Sequence, residues 1–400
     1  MSRSASLRST HAAIAAGVCM ALGLAAAPAR AQGDGGRPAV DLSGVLYGNY
    51  QYHVEPGTTP AEDAQLRAGA EQNRFSLERA YLTVRAAAGP RATVRLTSDL
   101  YRAAGGYELR LKYGYLDYRF LERGQTSAFA RVGLLQNVMI EHEERFWPRW
   151  LGSAPLDRAG FFSSADLGVA VGATFLGDFG ELYAHVVNGQ GYQDVGRADD
   201  RFKDYAARLT LRPFANLAPT MLRSLVVSPW YYRGDSASIF GPNSTLADVP
   251  GYLGPVAEGR RRDRFGLFLG WEDPRLAAGV SIGRRESDVE HGANTAASPV
   301  TVTRVSEKLV AGFAVVRPLG YLSGDSTYRS PLAVVLRYDR DDVNTDVPGR
   351  THYVVAGLAY DLTPNVSFAL DYQETLPEDG LPATRGNTQQ VYFAHFQAKF

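Results

Sequence analysis

The sequence is poor in features on which many other protein classes depend. Its 400 residues include one cysteine and four lysines, and basic and acidic residues are equal in number at 42 each. This even charge balance argues against a nucleic-acid partner, which would require a clustered basic excess. No run of eighteen apolar residues occurs beyond the extreme N-terminus, which excludes helical membrane spans. The hydrophobic content of 45% is nevertheless ample for a folded chain.

The beginning of the chain has the pattern of a secretory signal peptide. Arg3 and Arg8 give a positive start, and residues 12–27 form an apolar stretch too short to cross a bilayer comfortably. Ala29-Arg30-Ala31 then supplies a small-residue cleavage site. We therefore predict a cleaved signal peptide at 1–31, with a retained N-terminal helix as the alternative.

The remaining residues, 32–400, are predicted to form one domain. The single cysteine, Cys19, lies inside the predicted signal peptide, so the exported chain would contain no disulfide. An exported protein of this size then needs another source of stability, and a closed β-sheet is one such source.

From residue 40 onward the chain repeats a single pattern. Segments of roughly ten residues alternate apolar with polar or small side chains, which is the signal of β-strands with two different faces. No amphipathic helix of comparable length competes with them. The pattern predicts sixteen strands, at 40–54, 74–87, 91–102, 107–121, 126–140, 165–177, 180–189, 204–214, 223–233, 262–273, 274–286, 303–317, 331–341, 351–363, 364–375 and 388–400.

The connections between these segments fall into two classes. Those after even-numbered strands are mostly short, as at Gly89-Pro90 and Asp273-Pro274, and those after odd-numbered strands are mostly long. Short turns on one side and long loops on the other are typical of outer-membrane barrels. The fold class predicted is therefore all-β, a transmembrane antiparallel barrel of about sixteen strands with short periplasmic turns and long extracellular loops.

The alternation also predicts which face of each strand contacts lipid and which face contacts water. In segment 274–286, Val280 and Ile282 share an apolar face suited to lipid, while Ser281 and Gly283 belong to a polar face suited to a watery lumen. Tyrosines near strand ends fit the aromatic girdles of such barrels, and we place five of them there: Tyr47, Tyr118, Tyr232, Tyr353 and Tyr372.

The last ten residues, Val391 to Phe400, are the most specific local signal. Tyr392, Phe396 and Phe400 fall on one face, and the chain finishes on an aromatic residue. This ending is similar to the signal that the outer-membrane assembly machinery reads, so we expect that machinery to be a partner.

One stretch of the chain resembles a known family. The run Asn73 to Val84 (NRFSLERAYLTV), followed by Val94 to Leu100, by Leu111 to Tyr118 and by Val132 to Gln136, resembles the phosphate-selective porin O/P family over about residues 73–190. The resemblance implies a sixteen-stranded, trimeric channel. The family's lysine-rich phosphate ladder is not visible among Lys112, Lys203, Lys308 and Lys399. We therefore expect no tight phosphate site.

The third long connection, 141–164, is the predicted constriction, because the corresponding loop of sixteen-stranded porins folds inward. Charged residues at a constriction set ion preference through the local potential. The loop supplies Glu141, Glu143, Glu144, Arg145, Arg149 and Arg158, and the neighbouring strands supply Arg79, Arg95, Arg110, Lys112 and Arg131. An ordinary solvated loop is the alternative. His142 beside these glutamates lacks the ligand spacing of a metal site.

Counting all charges in lumen phase gives thirteen basic and six acidic residues, which predicts a weak preference for anions. The basic ones are Arg79, Arg85, Arg95, Arg110, Lys112, Arg131, Arg208, Arg212, Arg264, Arg275, Arg285, Arg337 and Lys399. The acidic ones are Asp99, Glu108, Asp166, Glu181, Asp339 and Asp371.

We expect no enzymatic activity from this chain. The six histidines beyond the signal peptide lie in no recognisable nucleophile motif, and the sequence Gly-x-Ser-x-Gly is absent. The sequence thus predicts a porin for passive diffusion of small, mostly anionic solutes, with no enzyme activity, metal or cofactor. We expect it in the outer membrane of a Gram-negative-type bacterium, as a homotrimer among membrane lipid and lipopolysaccharide. An adhesive or structural barrel and, less readily, a barrel enzyme are the alternatives.

Overall fold

A computed structural model describes residues 39–54, 73–103, 106–193, 202–217, 221–239, 253–254, 259–378 and 389–400. The predicted signal peptide at 1–31 lies outside the described residues. Within the described residues, no helix is long and apolar enough to cross a membrane.

The described residues form one closed antiparallel barrel of sixteen strands, which confirms the predicted fold class and strand number. Each strand pairs with its neighbours in the chain, and β1 pairs with β16 to close the sheet. Closure matters because an open sheet edge in lipid would leave backbone amides without partners. The strands are β1 Val40–His53, β2 Asn73–Ala87, β3 Ala92–Ala103, β4 Gly106–Arg123, β5 Thr126–Gln136, β6 Ala165–Phe175, β7 Gly180–Val187, β8 Asp204–Leu211, β9 Val226–Ala237, β10 Gly259–Asp273, β11 Leu276–His291, β12 Thr301–Val316, β13 Leu332–Asp342, β14 Thr351–Thr363, β15 Val366–Pro377 and β16 Gln389–Lys399.

The predicted and observed ends of β5 differ by four residues. The apolar pattern predicted a strand to residue 140, whereas β5 ends at Gln136. The side-chain oxygen of Asn137 accepts the backbone N–H groups of Met139 (2.7 Å) and Ile140 (2.8 Å), which turns the chain out of the sheet. Asparagine competes with the strand in this way because its side chain mimics a backbone acceptor.

Both ends of the barrel chain lie on the side of the short turns. Five of those turns join neighbouring strands across two to four residues, at 88–91, 124–125, 176–179, 274–275 and 364–365. Two connections on the same side are longer, namely 212–225 and 317–331, and the second carries the short helix Pro318–Leu322. The long connections, including 137–164, lie at the opposite end.

Side chains alternate between the two faces as the sequence predicts. Val280 and Ile282 of β11 are 40% and 45% exposed on the outer face, whereas Ser281 between them is fully buried on the inner face. The prediction of an aromatic girdle is wrong for three of the five tyrosines, because Tyr47, Tyr232 and Tyr353 are directed into the barrel. The rings of Tyr232 and Tyr353 lie beneath arginine side chains inside the barrel.

Four register shifts interrupt the alternation among the described strands, and the β-bulges in β2 and β4 are the two beside L3. In β2, Tyr47 is paired with Arg79 and Gly48 with Leu77, so Glu78 is an extra residue. In β4, Thr97 is paired with Tyr113 and Ser98 with Leu111, so Lys112 is the extra residue. A bulge places two consecutive side chains on nearly the same side of a sheet. Arg79 and Lys112 therefore reach the inner face beside their neighbours.

The seam between β1 and β16 is packed by aromatic rings on the outer face. Gly44 donates its N–H to the carbonyl of Phe400 (2.9 Å) and accepts from the Phe400 N–H (3.1 Å). A Cβ added to Gly44 would lie 2.1 Å from the Phe400 ring, and one added to Gly48 would lie 2.4 Å from the Phe396 ring. These glycines thus leave room for the aromatic rings that cover the closing strand pair.

We expect Phe400→Ala to slow insertion of the barrel into outer membranes and to lower its stability by about 1 kcal/mol, because cross-strand packing at the seam is lost. Heat-modifiable mobility on gels and urea unfolding in detergent measure the two effects. Phe265→Ala is the matched control, since Phe265 is 43% exposed on the outer face away from the seam. Equal insertion of the two variants would contradict a special role for Phe400.

Candidate functional site

The connection between β5 and β6, residues 137–164, folds into the barrel and is called L3 below. It contains the helix Ile140–Glu143, a 3-10 turn at Arg149–Leu151 and the helix Pro155–Arg158. Each element is too short to persist alone in water, since isolated helices need about 12–15 residues. Packing against the barrel wall must therefore fix the conformation of L3.

One side of L3 is apolar and packs on the inner wall of β9–β13. Trp147 is fully buried with its ring 5.3 Å from that of Phe313, and the Phe146 ring lies 5.2 Å from that of Phe268. Glycines in the wall make room for these rings. A Cβ on Gly270 would lie 2.7 Å from the Phe146 ring, and one on Gly283 would lie 2.8 Å from the Phe161 ring.

Hydrogen bonds from the wall hold the backbone of L3 along its length. The carbonyl groups of Leu151 and Ser153 accept from Gln373 (2.8 Å) and Arg337 (2.5 Å). Farther along, the Gly160 carbonyl accepts from Arg285 at 2.7 Å. A buried carbonyl group needs a hydrogen-bond donor, either from water or from the protein. Here the side chains of the wall are the donors for the carbonyl groups of L3.

The glutamates grouped by the sequence have different environments. Glu143, predicted to line the pore, is fully buried beneath L3, where it accepts from the Ser281 hydroxyl and from the Leu156 N–H (3.1 Å). The placement differs because Ile140–Glu143 is helical, which turns residue 143 to the wall while Glu141 and Glu144 stay on the other side. Next to it, buried His142 lies 2.9 Å from the Ser228 hydroxyl.

Burial determines the protonation of Glu143 and His142, whereas pairing with Arg95 determines that of Glu141. Removal from water raises the pKa of Glu143 to about 8, despite the hydrogen bonds that favour its charged form. Burial and nearby arginines hold the pKa of His142 well below its usual range, so the ring is neutral. For Glu141, burial would raise the pKa, but the Arg95 guanidinium outweighs it and the pKa lies below normal.

Arg149 occupies the narrow part of the lumen. Its guanidinium bonds the carboxylates of Glu144 and of Asp157, the latter at 2.8 Å. It lines a cavity of about 410 Å³ beside residues 189–193, on the side of the long loops. It also lines a second cavity of about 730 Å³ beside Lys399, on the side of the short turns. Of the residues bordering these two cavities, only Arg149 borders both, so its side chain lies between the two spaces.

The wall of β1–β5 faces this part of L3 with cations on tyrosine rings. Arg95 lies 4.5 Å from the Tyr113 ring centroid and bonds Glu141 of L3 at 3.1 Å. Lys112 lies 4.4 Å from the Tyr81 ring centroid and donates to the Tyr81 hydroxyl at 3.2 Å. Both contacts combine a cation with the negative face of an aromatic ring.

Two other predicted cations of this wall share one carboxylate. Arg79 and Arg110 bond buried Asp99 at 2.9 and 3.3 Å, and the Arg110 guanidinium lies 3.5 Å from the Tyr101 ring centroid. Arg131 is paired with Asp117 at 2.6 Å. The wall therefore consists largely of ion pairs rather than of bare positive charges.

The last two predicted residues lie at the edges of the site. Arg145, with half of its side chain exposed, is 4.0 Å from Glu181. Arg158 lies 3.8 Å from the Tyr353 ring centroid and donates to Thr375 at 3.3 Å, on the far wall. The structure thus brings Glu141, Glu144 and Arg149 opposite the β1–β5 wall, and it places Glu143 and Arg158 elsewhere.

Sequence reasoning missed several inward acids. After the Lys112 bulge the phase of β4 shifts, so Asp117 is inward, and Glu78 is inward for the same reason in β2. Buried Asp204 and Glu307 also face inward, paired with Arg262 and Arg285. The predicted excess of thirteen bases over six acids is therefore too large.

The described residues include no group of three His, Cys, Asp or Glu side chains that could hold a metal ion. Scans against protein families and against curated proteins found no match. Solved structures do match. An anion-selective porin from Comamonas acidovorans is 11% identical, with a TM-score of 0.57, and the alignment covers 91% of this chain and all of that one.

Two further solved barrels share this fold. The outer membrane channel DcaP of Acinetobacter baumannii matches with a TM-score of 0.55 at 12% identity, over 92% of this chain and 99% of that one. OmpT, an outer membrane protein of Vibrio cholerae in trimer form, matches with a TM-score of 0.55 at 9% identity, over 91% and 100%. At such identities the likeness establishes the shared barrel fold.

Trp147→Ala should lower the free energy of unfolding by about 3–5 kcal/mol, because it removes a fully buried ring from the contact between L3 and the barrel wall. Trp271→Ala is the control, since Trp271 belongs to the outer face of β10 and should cost about 1 kcal/mol or less. Urea unfolding followed by near-UV circular dichroism measures both. Equal losses would show that L3 contributes no packing energy.

The buried Glu143 predicts a pH dependence of stability. Its folded-state pKa of about 8 lies above the unfolded value of 4.5, so the folded state binds the extra proton. Stability should fall as pH rises from about 4.5 to 8, by up to about 5 kcal/mol from this group, and then level off. Glu143→Gln, which imitates the protonated form, should remove that fall.

Unfolding free energies measured at several pH values for wild type, Glu143→Gln and Glu141→Gln test this assignment. The Glu141 variant should keep the fall, because the pKa of Glu141 is shifted in the opposite direction. If Glu143→Gln shows the same pH profile as the wild type, the buried carboxyl is not the titrating group.

Proposed function

We propose that this protein is a porin for passive diffusion of small solutes across the outer membrane of a Gram-negative-type bacterium. The observation that carries the proposal is the shape of the lumen. L3 narrows the barrel without filling it, because cavities of about 410 and 730 Å³ lie on the two sides of Arg149. Such an arrangement fits a polar route with its constriction at Arg149.

The outer surface supports a membrane location. Large apolar side chains are exposed around the barrel, for example Leu96, Val132, Val310 and Leu370. In water, a continuous apolar belt of this kind would aggregate, whereas in lipid it is the expected solvent contact. Outer-membrane lipid with lipopolysaccharide is therefore the proposed surrounding.

We propose a weak preference for anions. The cations of the constriction and its wall are Arg79, Arg95, Arg110, Lys112, Arg131 and Arg149, and the carboxylates are Asp99, Asp117, Glu141, Glu144 and Asp157. Lys112 is the cation of this group without a carboxylate partner in the described part of the chain, since its ammonium contacts tyrosines. One charge of this kind in a confined lumen gives modest selectivity, screened within about 8 Å at physiological salt.

Several finer features belong to the same proposal. Export by a cleaved signal peptide at 1–31, a barrel domain at 32–400 and recognition of Phe400 by the assembly machinery follow from the sequence patterns. A homotrimer is supported by the fold shared with a barrel described in trimer form. Kinship with the phosphate-selective porin O/P family is likewise proposed from the motifs at 73–136.

Planar-bilayer recordings test the function directly. Purified protein should form stable channels in KCl, and the zero-current potential across a KCl gradient should report weak anion preference that grows at low salt. Lys112→Gln should lower the chloride-to-potassium permeability ratio by about a factor of two. Lys308→Gln is the control, because Lys308 is exposed on the outer face of β12 and should leave the ratio unchanged.

Three outcomes would count against the proposal. A clear cation preference would mean that Glu141 and Glu144 control the pore. Block of the chloride current by micromolar phosphate would mean that a tight phosphate site exists. Absence of conductance, together with no entry of sugars in liposome swelling, would favour an adhesive or structural barrel over a channel.

A further inference from the structure

The cavity on the long-loop side of Arg149 contains a cation without a carboxylate partner. Arg264 of β10 borders it, with its guanidinium 4.3 Å from the Tyr232 ring centroid and bonded to the carbonyl of Phe161 in L3. Among the described residues, no carboxylate lies within ion-pair distance of Arg264, and its buried Nε has no hydrogen-bond partner. A buried charge of this kind is costly unless something compensates it.

The arginines next to Arg264 have carboxylate partners. Arg262, two residues earlier on the same face, is paired with Asp204 at 3.0 Å, and Arg285 on the next strand is paired with Glu307. The two carboxylates that border the cavity are also occupied. Asp157 bonds Arg149, and Asp166 accepts three backbone N–H groups at 2.7–3.0 Å. The cavity therefore contains one cation without a carboxylate partner, Arg264, while the oxygens of its second carboxylate, Asp166, are directed to backbone N–H groups.

A second polar side chain borders the same cavity. His185 of β7 is 5% exposed, and in the described part of the chain no side chain hydrogen-bonds its ring, whose polar contact is with the backbone of Gln136. The strand register places it in one row with Arg264, because His185 is paired with Ala206, Ala206 with Tyr232, and Tyr232 with Arg264. The small side chain of Ala206 leaves the space between the two ends of this row open.

Apolar surface lies between these polar groups. Phe162, Val187 and Tyr232 line the cavity together with the serine pair Ser163 and Ser164. A volume of about 410 Å³ is large for an inorganic ion and suits a small organic molecule. The ligand chemistry that matches is a negative head group on a compact apolar body.

We propose that this cavity is a binding subsite for small organic carboxylates on their way to the constriction. Arg264 is the charge partner of the carboxylate, His185 donates a hydrogen bond from its ring N–H, and the faces of Phe162 and Tyr232 hold the apolar body. The subsite rests on the proposed porin function and specifies the class of solute that the channel favours. Its affinity is low, because tight retention would stop flux.

Benzoate is a suitable probe, and benzamide is its uncharged match in shape. In single-channel recordings in KCl, benzoate added on either side should reduce the current saturably, with half-block at millimolar concentration, while benzamide at the same concentration should not. Arg264→Gln should raise the half-blocking concentration at least fivefold and His185→Leu at least twofold. Arg261→Gln should change it less than twofold, because Arg261 carries the same charge on the opposite face of β10.

The KCl conductance of each variant, recorded first, separates this inference from the proposed function. If the wild type forms no channel, the porin proposal fails. If the wild type conducts but benzoate block is absent, is non-saturable or is equalled by benzamide, the subsite is wrong. Block that is unchanged in both Arg264→Gln and His185→Leu also overturns it. Should Arg264→Gln not form channels, His185→Leu and the benzamide comparison still decide.

Discussion

The contact between the apolar side of L3 and the inner wall of the barrel determines the rest of this structure. A sixteen-stranded barrel encloses more space than its own side chains fill, so a loop inside it must be held or the lumen stays wide. Here Trp147 and Phe146 pack on Phe313 and Phe268, and wall glycines make room for the rings. In the proposed channel, the route for solutes is consequently confined to the other half of the lumen, between L3 and β1–β5.

The two halves of the inner wall differ in chemistry for this reason. Where L3 is seated, the wall is apolar, with a few buried ion pairs such as Arg337 with Asp339 at 2.6 Å. Along the proposed route for solutes, arginines and Lys112 lie on tyrosine rings, and the arginines are paired with carboxylates. The cations are held in place by these partners, so the charge pattern of the constriction is fixed before a solute arrives. Net selectivity then depends on small imbalances, at Lys112 and at Arg264.

The sequence predicts the strands well because a two-residue period over sixteen segments is a redundant signal. It predicts poorly which side chains face the lumen wherever one extra residue in a strand shifts the alternation of inward and outward side chains. The bulge at Lys112 brings Tyr113, Tyr115 and Asp117 inward, and no local propensity announces it. Likewise, the cluster Glu141, Glu143 and Glu144 reads as one acidic patch, yet a single helical turn buries Glu143. Packing of L3 on distant strands decides these placements, and that information is non-local.

Thiol modification at the constriction tests the central claim most directly. The only native cysteine, Cys19, lies in the predicted signal peptide, so Arg149→Cys gives a unique reactive site in the exported barrel. If the two cavities meet at residue 149, a methanethiosulfonate reagent added from either side of a bilayer should sharply reduce the single-channel conductance. Conductance that stays unchanged after complete modification would show that ions do not pass this residue, and the account of L3 as the constriction would be wrong.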